Sequence, residues 1–248
     1  MKIISIKILL ISYVLTLTCM SVQAQTILSD STTSAKVDHK KNAYHSFIAP
    51  TVLIGAGAYF TEHDQFRYYI RSERNKHYPD FHTSVDNFLP AVPIALVYGL
   101  NACGVKGKND FINRSLILVK SEIVLLALTG SMKALTHVDR PDNSNRQSFP
   151  SAHTAHAFAA ATFVAHEFGD RSFWYSIGAY TLASGVGALR IMNNRHWISD
   201  VMGGAGIGIL SMNVVYLTHK YRWAKKNDLT VVPSWSHGPS IYLCYKIR

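Results

Sequence analysis

Residues 148–168 read Ser-Phe-Pro-Ser-Ala-His-Thr-Ala-His-Ala-Phe-Ala-Ala-Ala-Thr-Phe-Val-Ala-His-Glu-Phe. Ser151 and Thr154 are residue types that cap a helix start, and an alanine-rich run follows them. The stretch is therefore expected to open a helix, read over 154–168, with free backbone N–H groups at its mouth. Such a mouth is a natural cradle for an anion, and His153 stands in it, able to donate a proton. Taken alone, the commoner case is a capped helix whose histidine merely packs. Outward from this stretch, apolar runs alternate with polar loops, and helices are expected near 47–60, 88–104, 114–135, 173–190 and 201–218. Small residues crowd the later ones: Ala157, Ala159, Ala160 and Ala161, then Gly203, Gly204, Gly206 and Gly208. Small residues let helices approach closely, in a membrane or in a tight bundle. The expected fold is all-α, a bundle of about six core helices that is open to membrane embedding.

The 248-residue chain suits one domain with a sizeable core, and no fixed-period repeat or low-complexity tract interrupts it. Lys2 and Lys7, the apolar run Ile8–Leu17 and the small-residue end Val22-Gln23-Ala24 have the layout of a secretory signal peptide over residues 1–24. Residues 25–46 form a polar leader, 47–226 the helical domain, and 227–248 a tail. In the tail, Leu229–Val232 and Ser240–Tyr245 read as two strands around His237-Gly238-Pro239, a small C-terminal β-hairpin. Residues 61–87 are a polar connection dense in charge and aromatics, and a loop of that length is expected to be functional or to carry structure of its own. Export would permit a disulfide between Cys103 and Cys244.

The formal net charge is +10, which suits phosphate or an acidic membrane surface. The basic residues form no aromatic-interleaved stripe, so no nucleic-acid partner is expected. Spanning a bilayer takes about 20 predominantly apolar residues, which makes 47–60 too short. Lys120 and Glu122 lie in the middle of 114–135, costly in lipid unless paired inside a bundle. Mean hydropathy is only +0.07, yet the last apolar run ends in Lys220, Arg222, Lys225 and Lys226, a basic flank typical of a cytoplasmic boundary.

Two further segments carry chemistry. Residues 133–141 read Lys-Ala-Leu-Thr-His-Val-Asp-Arg-Pro. Lys133 and Arg140 are seven apart, so on a helix they share nearly one face, and Pro141 marks the end. Two cations there suit a dianion, with Arg140 able to grip two oxygens and Lys133 acting as a point charge. Residues 190–200 read Arg-Ile-Met-Asn-Asn-Arg-His-Trp-Ile-Ser-Asp. His196 and Asp200 are four apart, one helical turn, so the carboxylate can orient the imidazole and leave its other nitrogen as a lone-pair donor. Arg190 adds a third cation. The histidines at 137, 153, 156, 166 and 196 show no metal-binding spacing, and no cysteine cluster helps them. His137 and His156 read as packing or supporting residues.

Lys-x6-Arg-Pro, Pro-Ser-x-His and Arg-x5-His-x3-Asp, in that order, resemble the type 2 phosphatidic acid phosphatase family, which shares its core with bacterial non-specific acid phosphatases and vanadium haloperoxidases. The resemblance covers residues 88–220 or so. It implies His196 as the nucleophile that accepts phosphate, Asp200 as its partner and His153 as the general acid. It implies Lys133, Arg140 and Arg190 as ligands of the phosphoryl oxygens, helped by Ser151 and the backbone N–H of Ala152. No cofactor or metal is needed for that chemistry. Two positions depart from the pattern: Ala152 stands where glycine is usual, and Leu189 where serine is usual.

The helix before Arg140 must end, and the one after His153 must begin, on the active-site side. Lys106, Lys108, Arg114, Arg171 and the flank at 220–226 then fall on the opposite, cytoplasmic side by the positive-inside tendency. Five spans and an outward-facing site satisfy this, with Arg67, Arg71, Arg74 and Lys76 as exported exceptions. The leading expectation is an enzyme that hydrolyses a membrane lipid phosphate of the cell envelope. Lipid A-type glycolipid, undecaprenyl diphosphate and phosphatidylglycerol phosphate are the candidate substrates. The alternatives are a soluble periplasmic acid phosphatase acting on small phosphoesters, a vanadium-dependent haloperoxidase, and a non-catalytic lipid-binding protein.

Overall fold

The computed structural model describes the backbone of residues 39–221, 229–234 and 240–245, and the side chains of 45–221. The signal-peptide reading of 1–24, most of the leader and the pairing of Cys103 with Cys244 lie outside the described residues. Among the described residues, seven α-helices follow in order: α1 (His39–Glu62), α2 (Asp64–His77), α3 (Ala91–Ala102), α4 (Phe111–Thr136), α5 (Ala152–Phe168), α6 (Phe173–Met192) and α7 (Ile198–Thr218), with a 3-10 turn at Val85–Asn87. The described core is all-α, as the sequence implied. Near the C-terminus the backbones of β1 (Leu229–Ser234) and β2 (Ser240–Tyr245) pair antiparallel.

Caps set the helix starts. The Asp110 carboxylate accepts the Asn113 N–H at 2.9 Å, and the Ser151 hydroxyl accepts the Thr154 N–H at 3.4 Å. Helix α1 is longer than the apolar run 47–60, because its first turns are polar and only its later turns match that run. The 61–87 connection is largely structured, as α2 and the 3-10 turn.

Helix α7 is the centre of the bundle; it packs on α1, α4 and α5, while α6 rests on α5. Glycine makes those contacts possible. A Cβ on Gly203 would press into the Phe149 ring at 2.6 Å, and one on Gly208 would collide with the carbonyl of Ala155. Backbone therefore approaches backbone, as small residues allow. Around this seam lie Phe158, Phe163, Val164, Val186 and Met212, all buried. At the end away from the candidate site, Arg114 and Glu167 form a buried ion pair at 3.0 Å, and Tyr216 Oη donates to Glu167 at 2.8 Å. This polar lock ties α4, α5 and α7 together.

Two described helices are long and apolar enough to cross a membrane, α4 and α7. They differ in environment. Only 22% of the apolar window of α4 is buried, against 61% for α7. On α4, Leu116, Val119, Ile123 and Leu126 form an outward stripe at helical spacing, the last three more than half exposed. Glu122 does not face out unpaired: its carboxylate meets His156 Nδ1 at 2.6 Å.

Candidate active site

The site forms where four helix ends meet: the C-termini of α4 and α6 and the N-termini of α5 and α7. His196 and Asp200 are in contact, but not as two residues of one helical face. His196 precedes α7, Trp197 is its N-cap, and Asp200 lies in the first turn. The Asp200 carboxylate bends back over the helix start. Its Oδ2 accepts from Trp197 N at 2.8 Å, from Ser148 Oγ at 2.5 Å and from His196 Nδ1 at 3.2 Å. All three donors converge on one oxygen, so Nδ1 carries the proton and Nε2 keeps the lone pair. No hydrogen bond engages Nε2 among the described residues. The Asp200 carbonyl also accepts from Ser151 N at 3.0 Å, which joins the starts of α5 and α7.

Burial pushes the His196 imidazole below its usual pKa range. The hydrogen bond and charge of Asp200 oppose that shift, and Arg190 and Lys133 add to it. The net shift favours the neutral ring, the form with a free lone pair.

Lys133 and Arg140 do not share a helix. Helix α4 stops at Thr136 because His137 turns left-handed, with φ 48° and ψ 36°. Arg140 lies in the loop beyond, which is folded back by Ser148 N donating to Val138 O at 2.9 Å and Arg140 N donating to Asn145 O at 3.0 Å. The fold-back still brings both cations to one place. Lys133 Nζ donates to Gln147 O at 2.6 Å, next to the Ser148 that touches Asp200. Arg140 is held below the usual arginine range, first by burial and then by the charge of Arg190. Its Nε is buried without a hydrogen-bond partner. Crowded positive charge of this kind favours an anion in the space between the side chains.

His153 lies within electrostatic range of Arg190 and His196. The Ser151 hydroxyl accepts from Thr154 Oγ1 at 2.9 Å as well as capping α5, so its own O–H remains to donate. Ala152 is the first residue of α5 and takes helical geometry, so glycine's extra freedom is not required there. Leu189 uses its carbonyl to accept from Asn193 N at 2.8 Å. His137 caps α4 at the surface, and His156 is engaged by Glu122.

Three participants were not singled out from the sequence. Asp86, in the 3-10 turn, is buried and accepts from Arg190 Nη1 at 2.6 Å. Asn193 clasps Thr83 through two bonds, Thr83 N to Oδ1 at 2.9 Å and Nδ2 to Thr83 O at 2.8 Å. That clasp fixes the turn which delivers Asp86. Ser148 is the third, through its bond to Asp200. The serine was legible as part of the motif; nothing local marks Asp86, which meets Arg190 across 104 positions of sequence.

Residues 114–224, which contain all three motifs, match the PAP2 superfamily. One curated relative, a lipid A 1-phosphatase from Porphyromonas gingivalis, is 42% identical over 134 residues, which is 52% of this chain. The match spans 29% of that relative's length. Among solved structures, Aquifex aeolicus LpxE is 21% identical, with a TM-score of 0.45, and the match covers 59% of this chain and 93% of that one. A transmembrane PAP2-type phosphatidylglycerolphosphate phosphatase from Bacillus subtilis is 16% identical, with a TM-score of 0.43, over 70% of this chain and 99% of that one.

Proposed function

We propose that this protein is a membrane lipid phosphate phosphatase that works through a phosphohistidine. The observation that carries the reading is the buried His196–Asp200 pair at 3.2 Å, with Lys133 and Arg190 within electrostatic range of His196 and Arg140 within range of Asp200. His196 Nε2 attacks phosphorus in line with the leaving oxygen. A P–N bond forms as the P–O bond breaks, and His153 gives its proton to the departing alkoxide. Asp200 stabilises the imidazolium that results. Lys133, Arg140 and Arg190, with Ser151 and the Ala152 N–H, take up the charge on the phosphoryl oxygens. Water then attacks phosphorus, His153 accepts its proton, the P–N bond breaks and inorganic phosphate leaves. The residues themselves supply charge neutralisation, nucleophile and acid.

Two observations favour a lipid over a small soluble phosphoester. The outward stripe of α4 is apolar where a water-soluble bundle would carry charge. A cleft of about 620 Å³ opens beside the segments carrying Lys133 and Ser151; Ala58, Tyr59, Met132, Leu135, Val138 and Phe149 give it an apolar wall fit for a lipid chain, and Thr61, Glu62, His63 and Thr136 are its polar members. The membrane reading places the site at the periplasmic face, with the candidate substrates a lipid A-type glycolipid, undecaprenyl diphosphate or phosphatidylglycerol phosphate. A panel of these, assayed for phosphate release by wild type and His196→Ala, tests the chemistry; undiminished release by the variant would remove the phosphohistidine. Fractionation tests the location: active protein released by osmotic shock without detergent would sink the membrane reading.

A further inference from the structure

The 61–87 segment brings more cations to the rim of the site than the mechanism uses. Helix α2 places Arg67 and Arg71 one turn apart on one face. Both guanidinium groups lie over the ring of Trp197, with their carbons 4.9 and 5.5 Å from its centroid. Trp197 follows His196 directly, and its Nε1 donates to the carbonyl of Asp139, the neighbour of Arg140, at 2.7 Å. One indole thus separates the two arginines from the loop that carries the phosphate-binding guanidinium.

Holding α2 in place does not require both charges. Arg74 already anchors the segment, donating from Nε to Met192 O at 2.8 Å and from Nη2 to Phe81 O at 3.0 Å. Like charges one helical turn apart repel, and here they converge on a single ring. Asp64 pairs with Arg67, but Arg71 meets no acid among the described residues, and the Nε of each arginine is buried without a hydrogen-bond partner. The charge left over is positive, partly sheltered and adjacent to the catalytic loop.

We propose that Arg67 and Arg71 form a second anion station, for a substrate bearing a further negative group that the product keeps, a few bonds from the scissile phosphate. The inference rests on the phosphatase reading above and narrows it to lipids with two anionic groups. A phosphate or phosphodiester oxygen docked there accepts from the two guanidinium groups, while Trp197 holds them in register with the pocket.

The test compares two short-chain lipids with the same acyl tails, phosphatidate and phosphatidylglycerol phosphate, in neutral detergent with the full chain. The second carries a phosphodiester besides its monoester. Wild type is expected to prefer it, and added salt is expected to shrink the preference. In R67Q/R71Q the ratio of the two kcat/KM values should fall about tenfold, chiefly through KM, as expected for losing hydrogen bonds to a charged group. R71K, which keeps the charge, should retain most of the preference. A loss by the same factor on both lipids would mean that the arginines only prop the Trp197 loop, and would overturn the station. Equal use of the two lipids by wild type would overturn it as well, leaving the phosphatase reading intact. Release from neither lipid, nor from the other lipids of the panel, would defeat the phosphatase reading and this inference with it.

Discussion

Asp86→Ala is the substitution with most to reveal, because it removes a partner of the pocket without touching the proposed nucleophile. Arg190 and Asp86 meet at 2.6 Å, with side chains 9% and 1% exposed. Two unit charges about 4 Å apart attract by about 4 kcal/mol at an effective dielectric near 20. Removing one member of such a buried pair costs about 3–5 kcal/mol, since the other is left uncompensated. Arg190 would then sit among Lys133 and Arg140 with no acid to hold its fork. We expect Asp86→Ala to lower kcat/KM by about a hundredfold, and Asp86→Asn, which keeps an oxygen acceptor, by about tenfold, in line with charged hydrogen bonds being roughly twice as strong as neutral ones. Inorganic phosphate should raise the melting temperature of Asp86→Ala more than that of wild type, because a bound anion replaces the missing carboxylate. A double-mutant cycle with Arg190→Gln is decisive. If Asp86 acts through Arg190, the double variant is little worse than Arg190→Gln alone. Additive losses, or Asp86→Ala within twofold of wild type, would refute the argument.

Four further outcomes follow from the geometry. Asp200→Asn should lower kcat by about 10³–10⁴-fold, by analogy with the loss of the orienting carboxylate in other histidine-based sites, while the fold survives in circular dichroism. The lowered pKa of His196 keeps its lone pair free below pH 6.5, so the acid limb of kcat/KM owed to this ring should fall below that value. Asp200→Asn removes an influence that raises the pKa, so the limb should move lower still, and an upward move would contradict the assignment. Gly208→Ala should destabilise the bundle by about 1–3 kcal/mol through overpacking against Ala155, read as a lower melting temperature in detergent. Gly178→Ala, with nothing near its Cβ, should be neutral or stabilising.

Much of the helical frame was legible because the cues are local. Capping at Ser151, the alanine run after it and the glycines of α7 announce tightly packed helices whatever lies around them. The three motifs were legible because their residue types and spacings are unusual together. Their spatial reasons were not. The interval from His196 to Asp200 suggested one helical face, but the carboxylate works by folding back from the first turn onto a residue before the helix. The interval from Lys133 to Arg140 suggested a continued helix, but a left-handed His137 ends it and loop hydrogen bonds return Arg140 to the pocket.

By itself, then, the sequence determined the all-helical class and which side chains carry the candidate chemistry, because caps, small-residue runs and motif spacing act over a few residues. Only the tertiary structure decided who holds those side chains. Asp86 reaches Arg190, and Arg67 and Arg71 reach Trp197, from a segment whose local pattern shows charge and aromatics but no partner. Such contacts depend on where α2 and the following turn dock, and docking is fixed by distant bonds such as Arg74 to Met192 and Thr83 to Asn193. A charge's value in a pocket depends on its burial and its neighbours, and both are properties of the folded chain alone.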